Sequence, residues 1–144
     1  MREGKIHRIE VHVATICFKA GKVLIAKRTQ ERKLYPGLWE CGGGLVRPGE
    51  NFIEAVKREA KDELGVIVDV IGPSGTYEIP VPGSEQKKIP GLKFACRVTG
   101  FLDGEPQLSK EHTEWKWVSL DQLDGFDFIP GIPEDVKEAY KLLR

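Results

Sequence analysis

Hydrophobic positions along the chain alternate with polar ones in several short runs, and in two places the spacing becomes helical. VHVATICF, Val11 to Phe18, is rich in β-branched residues and predicts a strand. KAGK turns the chain, and VLIAKR, Val23 to Arg28, predicts the hairpin partner. TQERKLYPG is a polar loop, and LWEC is a short extended piece running into Gly42, Gly43 and Gly44. VIVDVIG and GTYEIPV predict strand ended by Pro80 and Pro82, and VPGSEQKKIPG predicts an exposed, mobile loop. LKFACRVTG and TEWKWVSL predict further strands, with Trp115 and Trp117 on one face. PEDVKEAYKLLR closes the chain as a helix, with Pro133 in its first turn and Val136, Ala139, Tyr140 and Leu143 in one apolar stripe. Strands that flank one central helix and precede a final one predict an α/β fold, a mixed sandwich, in a single domain over residues 1–144.

The central helix is RPGENFIEAVKREAKDELG, Arg47 to Gly65. Asn51 and Glu54 form an N-x-x-E capping box, and Gly65 is the expected left-handed stop. On a wheel of about 100° per residue, Phe52, Ile53, Val56, Ala60 and Leu64 predict the buried face. Glu59, Asp62 and Glu63 crowd onto the edge of that face, where Arg58 can pair with Asp62 but cannot neutralise all three. A solvated acidic face would carry i,i+4 basic partners, yet Lys61 points away and Glu59 and Glu63 repel each other. The arrangement fits a divalent cation held by hard oxygen ligands, Mg²⁺ or Mn²⁺. Upstream, GGGLVRPGE is a glycine-rich loop whose backbone N–H groups can approach an anion, although no GK[ST] follows as in a Walker A loop.

Composition narrows the field. The 22 basic and 22 acidic residues cancel, so no polyanion-binding surface is indicated, while a local cluster can still hold a small anion. Cys17, Cys41 and Cys96 are far apart with no CxxC pair and read as reduced, buried thiols of a cytoplasmic protein. MREGKIHRIE lacks the apolar core of a signal peptide, and no run approaches the roughly 20 apolar residues of a membrane span. His7, His12 and His112 form no ligand pattern, and no hydroxyl lies in a G-x-S-x-G elbow. Lys27 and Arg28 end a strand near the expected site, where they either hold phosphate or form a surface pair. Trp39, Trp115 and Trp117 read as packing residues.

Taken together, Gly44, Glu50, Arg58, Glu59, Ala60, Asp62, Glu63, Gly65 and Val66 resemble a Nudix box, G-x5-E-x7-R-E-U-x-E-E-x-G-U, with U a bulky apolar residue. Asp62 stands where the pattern has Glu, and Ala60 is small for its slot. Six exact matches at fixed spacing have a chance probability below about 10⁻⁶ per start position. LYPGLWECGGGLVRPGE is similar to the W-E-F-P-G-G-K-x-E-x-G-E run of MutT-like members, with Cys41, Gly42, Leu45 and Arg47 as departures. KEHTEWKWVSL resembles the segment that supplies a further carboxylate, here Glu111.

The resemblance implies a Nudix-type α/β/α sandwich with a mixed β-sheet and hydrolysis of a nucleoside diphosphate linked to X. The preferred case is a (d)NTP cleaved to (d)NMP and pyrophosphate. Alternatives are an ADP-ribose, nucleotide-sugar or dinucleoside polyphosphate pyrophosphatase, an isopentenyl-diphosphate isomerase-like enzyme relying on Cys41, or a binding-only nucleotide sensor. Carried over by position, Glu59 and Glu63 are implied metal ligands, with Asp62, Glu111 and Gly44 as further ones. Glu111 or Glu59 is the implied base, Arg58 and Glu50 brace the loop and helix, and Gly43 approaches the phosphates. Phe126 and Phe128 lie where MutT-like enzymes place base-contacting residues, or pack the loop. The tail IPGIPED lacks the Asn that reads an oxidised guanine. A small nucleotide substrate, no nucleic-acid polymer, no membrane and a homodimer complete the expectations.

Overall fold

The computed structural model describes residues 8–143. His7 and most of the N-terminal stretch read as lacking a leader lie outside the described residues. β1 (His12–Lys19) and β2 (Lys22–Arg28) form the expected hairpin, closed by Ala20 and Gly21 in left-handed conformations. β3 (Trp39–Glu40) pairs with β2, and β4 (Gly43–Leu45) pairs with β1. Helix α1 (Phe52–Leu64) follows, capped by a 2.8 Å bond from the Glu54 N–H to Asn51 Oδ1 and stopped at Gly65, φ 67°. β5 (Val66–Val81) and β6 (Ser84–Phe101) form a long hairpin, β7 (His112–Val118) pairs with β2, and α2 (Ile132–Tyr140) closes the fold.

Among the described residues these strands make one seven-stranded sheet with the path β3-β2-β1-β6-β5. β1 and β6 run parallel and the other pairs antiparallel, so the sheet is mixed. Strand alternation sorts the side chains into two cores. Val13, Cys17, Leu24, Ala26, Phe94 and Cys96 pack with Ala55, Val56, Ala60 and Leu64 of α1 on one face. Ile16, Phe18, Val23, Ile25 and Ala95 pack with Val136 and Ala139 of α2 on the other. The result is the expected α/β/α sandwich. Cys17, Cys41 and Cys96 are free and buried.

Two expectations are corrected. VPGSEQKKIPG is not a loop: β6 begins at Ser84, and only Pro82 and Gly83 turn the chain. Its pairing with β1 starts at Gly91, so residues 84–90 belong to a two-stranded arm beyond the sheet. Pro80 and Pro90 lie in that arm, where a missing N–H can face an unpaired edge without breaking a ladder. In α1, Phe52 and Ile53 are 40% and 42% exposed, because the first turn sits at the rim of the core; Ala55 takes the buried position instead. Phe52 still approaches Phe94, with ring centroids 6.2 Å apart.

Candidate active site

The glycine-rich loop, the cleft side of α1 and one row of β1 surround a cleft of about 1470 Å³. Its construction starts with backbone. Gly42 and Gly43 adopt φ of 114° and 150°, which few residues with a Cβ adopt. They bring β4 against β1, with Val13 opposite Gly44 and Ala14 opposite Gly43. A Cβ on Gly43 would lie 2.2 Å from the Val13 carbonyl oxygen, so the approach requires glycine.

That approach seats the two acidic residues one turn apart on α1. Glu59 lies against Gly44, where an added Cβ would fall 2.4 Å from its carboxyl carbon. Glu63 is 9% exposed, and its Oε2 accepts a 3.1 Å hydrogen bond from the Gly43 N–H. Burial, and next a hydrogen bond with Glu111, push the Glu63 carboxyl upward; its interaction with Glu63 pulls Glu111 down. The opposed shifts favour the proton on Glu63 over Glu111.

Arginines brace these carboxylates and their neighbours. Arg58 donates to both oxygens of Glu50, at 2.6 and 3.0 Å, to Glu59 at 2.6 Å and to the Leu45 carbonyl at 2.9 Å. Its hydrogen bonds hold Glu50 down to about 2, despite an opposing desolvation effect. Arg58 also forms the expected i,i+4 ion pair with Asp62, but a loose one, at 3.8 Å and with the Asp62 side chain 53% exposed. Three residues beyond Glu59, it is about 60° further round the wheel and past the cleft wall. Arg32 pairs with Glu111 at 2.8 Å, and Arg28 with Glu40 at 2.7 Å.

Other residues named from the sequence separate by place. Gly43, Gly44, Glu59, Glu63, Glu111 and Arg28 line the cleft. Lys27 does not: strand alternation turns it the other way, toward Glu114 at 3.8 Å. Phe128 is buried with Trp39 and Phe126 in the second core rather than on the cleft wall, which its neighbours Ile129 and Pro130 join. Glu50 and Gly65 support the helix ends from outside the cleft.

Sequence reasoning missed a buried network and a cross-strand pair. Glu40 accepts from Arg28, and His112 Nε2 lies 2.9 Å from the same Glu40 oxygen. Burial opposes ionisation of Glu40, yet these partners together hold it below its usual range. His12 Nδ1 is hydrogen-bonded to the Tyr77 hydroxyl across 65 positions of chain. A separation of that size leaves no local signal in the sequence.

The donors facing the cleft fit a hard divalent cation. They are the carboxylate oxygens of Glu59 and Glu63 on α1 and of Glu111 just before β7, with a glycine cradle that a Cβ would fill. Among the described residues no three acidic, His or Cys side chains are already drawn to a common point. Mg²⁺ and Mn²⁺ tolerate such a partial shell because they retain waters and share substrate oxygens.

Residues 7–143 match the NUDIX domain family. CTP pyrophosphohydrolase of Escherichia coli (strain K12) is 33% identical over 138 residues, covering 94% of this chain and 93% of the relative. Isopentenyl-diphosphate Delta-isomerase of Paenarthrobacter aurescens (strain TC1) is 30% identical over 125 residues, covering 79% of this chain and 65% of the relative. The MutT protein structure from Methanosarcina mazei Go1 superposes with a TM-score of 0.72 at 23% identity, over 97% of this chain and 99% of that one. Among the described residues no helix is long and apolar enough to cross a membrane. With Arg58, Glu59 and Glu63 of the box in place along α1, the two glutamates seated on the glycine loop and the match spanning nearly the whole sequence, the chain belongs to the Nudix family.

Proposed function

We propose that the protein hydrolyses a nucleoside diphosphate linked to X in the presence of Mg²⁺ or Mn²⁺, with a (d)NTP cleaved to (d)NMP and pyrophosphate as the preferred case. One observation carries the reading. Glu59 and Glu63 are pressed onto the bare backbone of Gly44 and Gly43 at the wall of a cleft large enough for a nucleotide. Such crowding of carboxylates is explained by a cation and a phosphate arriving together.

Glu59 and Glu63 would hold the cation, with Glu111 beside them; Asp62 and Gly44 could contribute only through intervening water or backbone. A bound divalent cation supplies screening of the phosphate oxygens and acidifies water within its reach. Glu111 then accepts the proton of the attacking water at a carboxylate oxygen, while Arg32 keeps that carboxylate oriented. Arg58 fixes the rotamer of Glu59, and the glycine loop, bare of side chains, would let the diphosphate come close to the backbone. The name of the Escherichia coli CTP pyrophosphohydrolase supports a nucleoside triphosphate as substrate. The cytoplasm and a homodimer remain the proposed setting and assembly.

The named isomerase relative brings forward the second reading, which needs Cys41 for proton transfer at carbon. Cys41 lines the cleft but is 3% exposed and packs with Trp39 and Phe128 in the second core, and burial raises its thiol well above the usual range. The geometry favours hydrolysis. A panel of nucleoside triphosphates, ADP-ribose, nucleotide sugars and isopentenyl diphosphate, assayed with Mg²⁺, separates the cases. Pyrophosphate rather than orthophosphate release from a triphosphate is expected, and EDTA is expected to abolish it. Turnover that persists in EDTA, or isomerisation without hydrolysis, would refute the proposal.

A further inference from the structure

The half of the cleft away from the carboxylates carries a side-chain row built by strand register. On β1, His12, Ala14 and Ile16 face the cleft while Val13, Thr15 and Cys17 are buried between them. His12 stands opposite Gly91 of β6, and Gly91 stands opposite Tyr77 of β5. The three positions form one line across three strands. Gly91 leaves its own place in that line open, and the Tyr77 ring fills it: a Cβ at Gly91 would lie 2.5 Å from Tyr77 Cζ. Laid across the middle strand, Tyr77 reaches His12 Nδ1 with its hydroxyl, and the two rings meet edge to face.

This contact sets the imidazole tautomer. A phenol is the better donor and a neutral imidazole nitrogen the better acceptor, so the Tyr77 O–H donates to Nδ1 and the ring proton sits on Nε2. Burial, the largest influence, lowers His12 to about 4, so the ring is neutral at pH 7. Among the described residues Nε2 has no hydrogen-bond partner and is not among the buried unpaired polar atoms. It is a donor open to the cleft. The same cleft is lined by Ile79, Ile89, Ile129 and Ile132, while Glu40, Arg28 and Arg32 act on the His12 ring electrostatically.

We propose that His12, oriented by Tyr77 across Gly91, recognises the nucleobase: its Nε2–H donates to a ring-nitrogen or carbonyl acceptor of a base held against the isoleucine wall. A triphosphate alone makes no use of these isoleucines or of a neutral donor beside them. A heterocycle with an acceptor at its edge matches both features. The inference rests on the nucleotide reading above and adds which residues select the nucleoside.

The test is calorimetric titration, with Mg²⁺, of nonhydrolysable α,β-methylene ribonucleoside triphosphates and, separately, of inorganic tripolyphosphate. His12→Phe keeps the ring and removes the donor. It is expected to weaken binding of at least one nucleotide analogue about tenfold, roughly 1.4 kcal/mol, in line with an acceptor left unpaired. Tripolyphosphate binding should not change. His12→Gln, which restores a donor, should recover most of the loss. Tyr77→Phe frees the tautomer, and Gly91→Ala displaces the Tyr77 ring; both should reproduce part of the loss, again for nucleotides alone.

Equal nucleotide affinities of His12→Phe and the unmodified protein would overturn the proposal, as would a parallel loss for tripolyphosphate. So would failure of the unmodified protein to bind any of the analogues. Because the readout is binding, the two readings fail separately. A protein that turns over nothing in the hydrolysis panel, yet binds analogues through His12, refutes the hydrolase reading and supports this one.

Discussion

Gly44→Ala tests the seat of Glu59 directly. The added methyl would stand 2.4 Å from the Glu59 carboxyl carbon and 2.4 and 2.5 Å from its oxygens, where ordinary contact begins at 3.4 Å. The carboxylate must therefore retreat by about 1 Å. It can, because it is the end of a side chain and Gly44, unlike Gly42 and Gly43, has no positive φ. The backbone accepts alanine, and reduced freedom of the unfolded chain offsets part of any strain, by about 0.4–1 kcal/mol. At about 2–4 °C per kcal/mol for a domain of this size, Tm should stay within a few degrees of the parent. Activity should not. A displacement of about 1 Å in a positioned group costs on the order of 10²-fold, near 2.7 kcal/mol of barrier. The assay is steady-state pyrophosphate release on the best nucleotide, paired with a thermal melt. Gly72→Ala serves as control, since its Cβ would meet nothing within 4 Å. A Gly44→Ala protein with normal Tm and kcat within threefold of the parent would show that the Glu59 carboxylate is not needed where the loop holds it.

Two further predictions address the neighbouring groups. Glu63→Gln should lower kcat by at least about 10²-fold while the protein stays folded, since the amide keeps the shape and loses the charge; unimpaired turnover would remove Glu63 from the site. Glu50, held down to about 2 chiefly by the Arg58 hydrogen bonds, has a folded pKa below its unfolded one. Its contribution to stability is thus present above the ordinary value of 4.5 and lost as pH falls toward about 2. The Tm gap between the parent and Glu50→Gln should close over that window, and a gap independent of pH would contradict the assignment.

How much of this was legible beforehand depended on sequence distance. Helix α1, its Asn51 cap and its Gly65 stop follow from neighbours within a few residues, as does the closing helix. The acidic positions could be placed on a wheel because helical periodicity is local. The 84–90 arm has the composition of a loop because prolines are strand breakers only inside a sheet, and nothing nearby in the chain reveals that these residues lie beyond it. Phe128 and Lys27 stand near site residues in sequence, but packing and strand alternation turn both away from the cleft.

By itself, then, the sequence determined the class of fold, the spacing of the box and the residue types offered to a cation. Only the tertiary structure decided that Glu59 and Glu63, rather than Asp62, meet the glycine loop, that Arg58 is occupied by Glu50 and Glu59, and that Tyr77 crosses Gly91 to His12. Short-range order arises from backbone sterics and periodicity that each segment carries alone. Those other contacts join residues as far as 65 positions apart, and they exist only once strand register and close packing have brought the segments together.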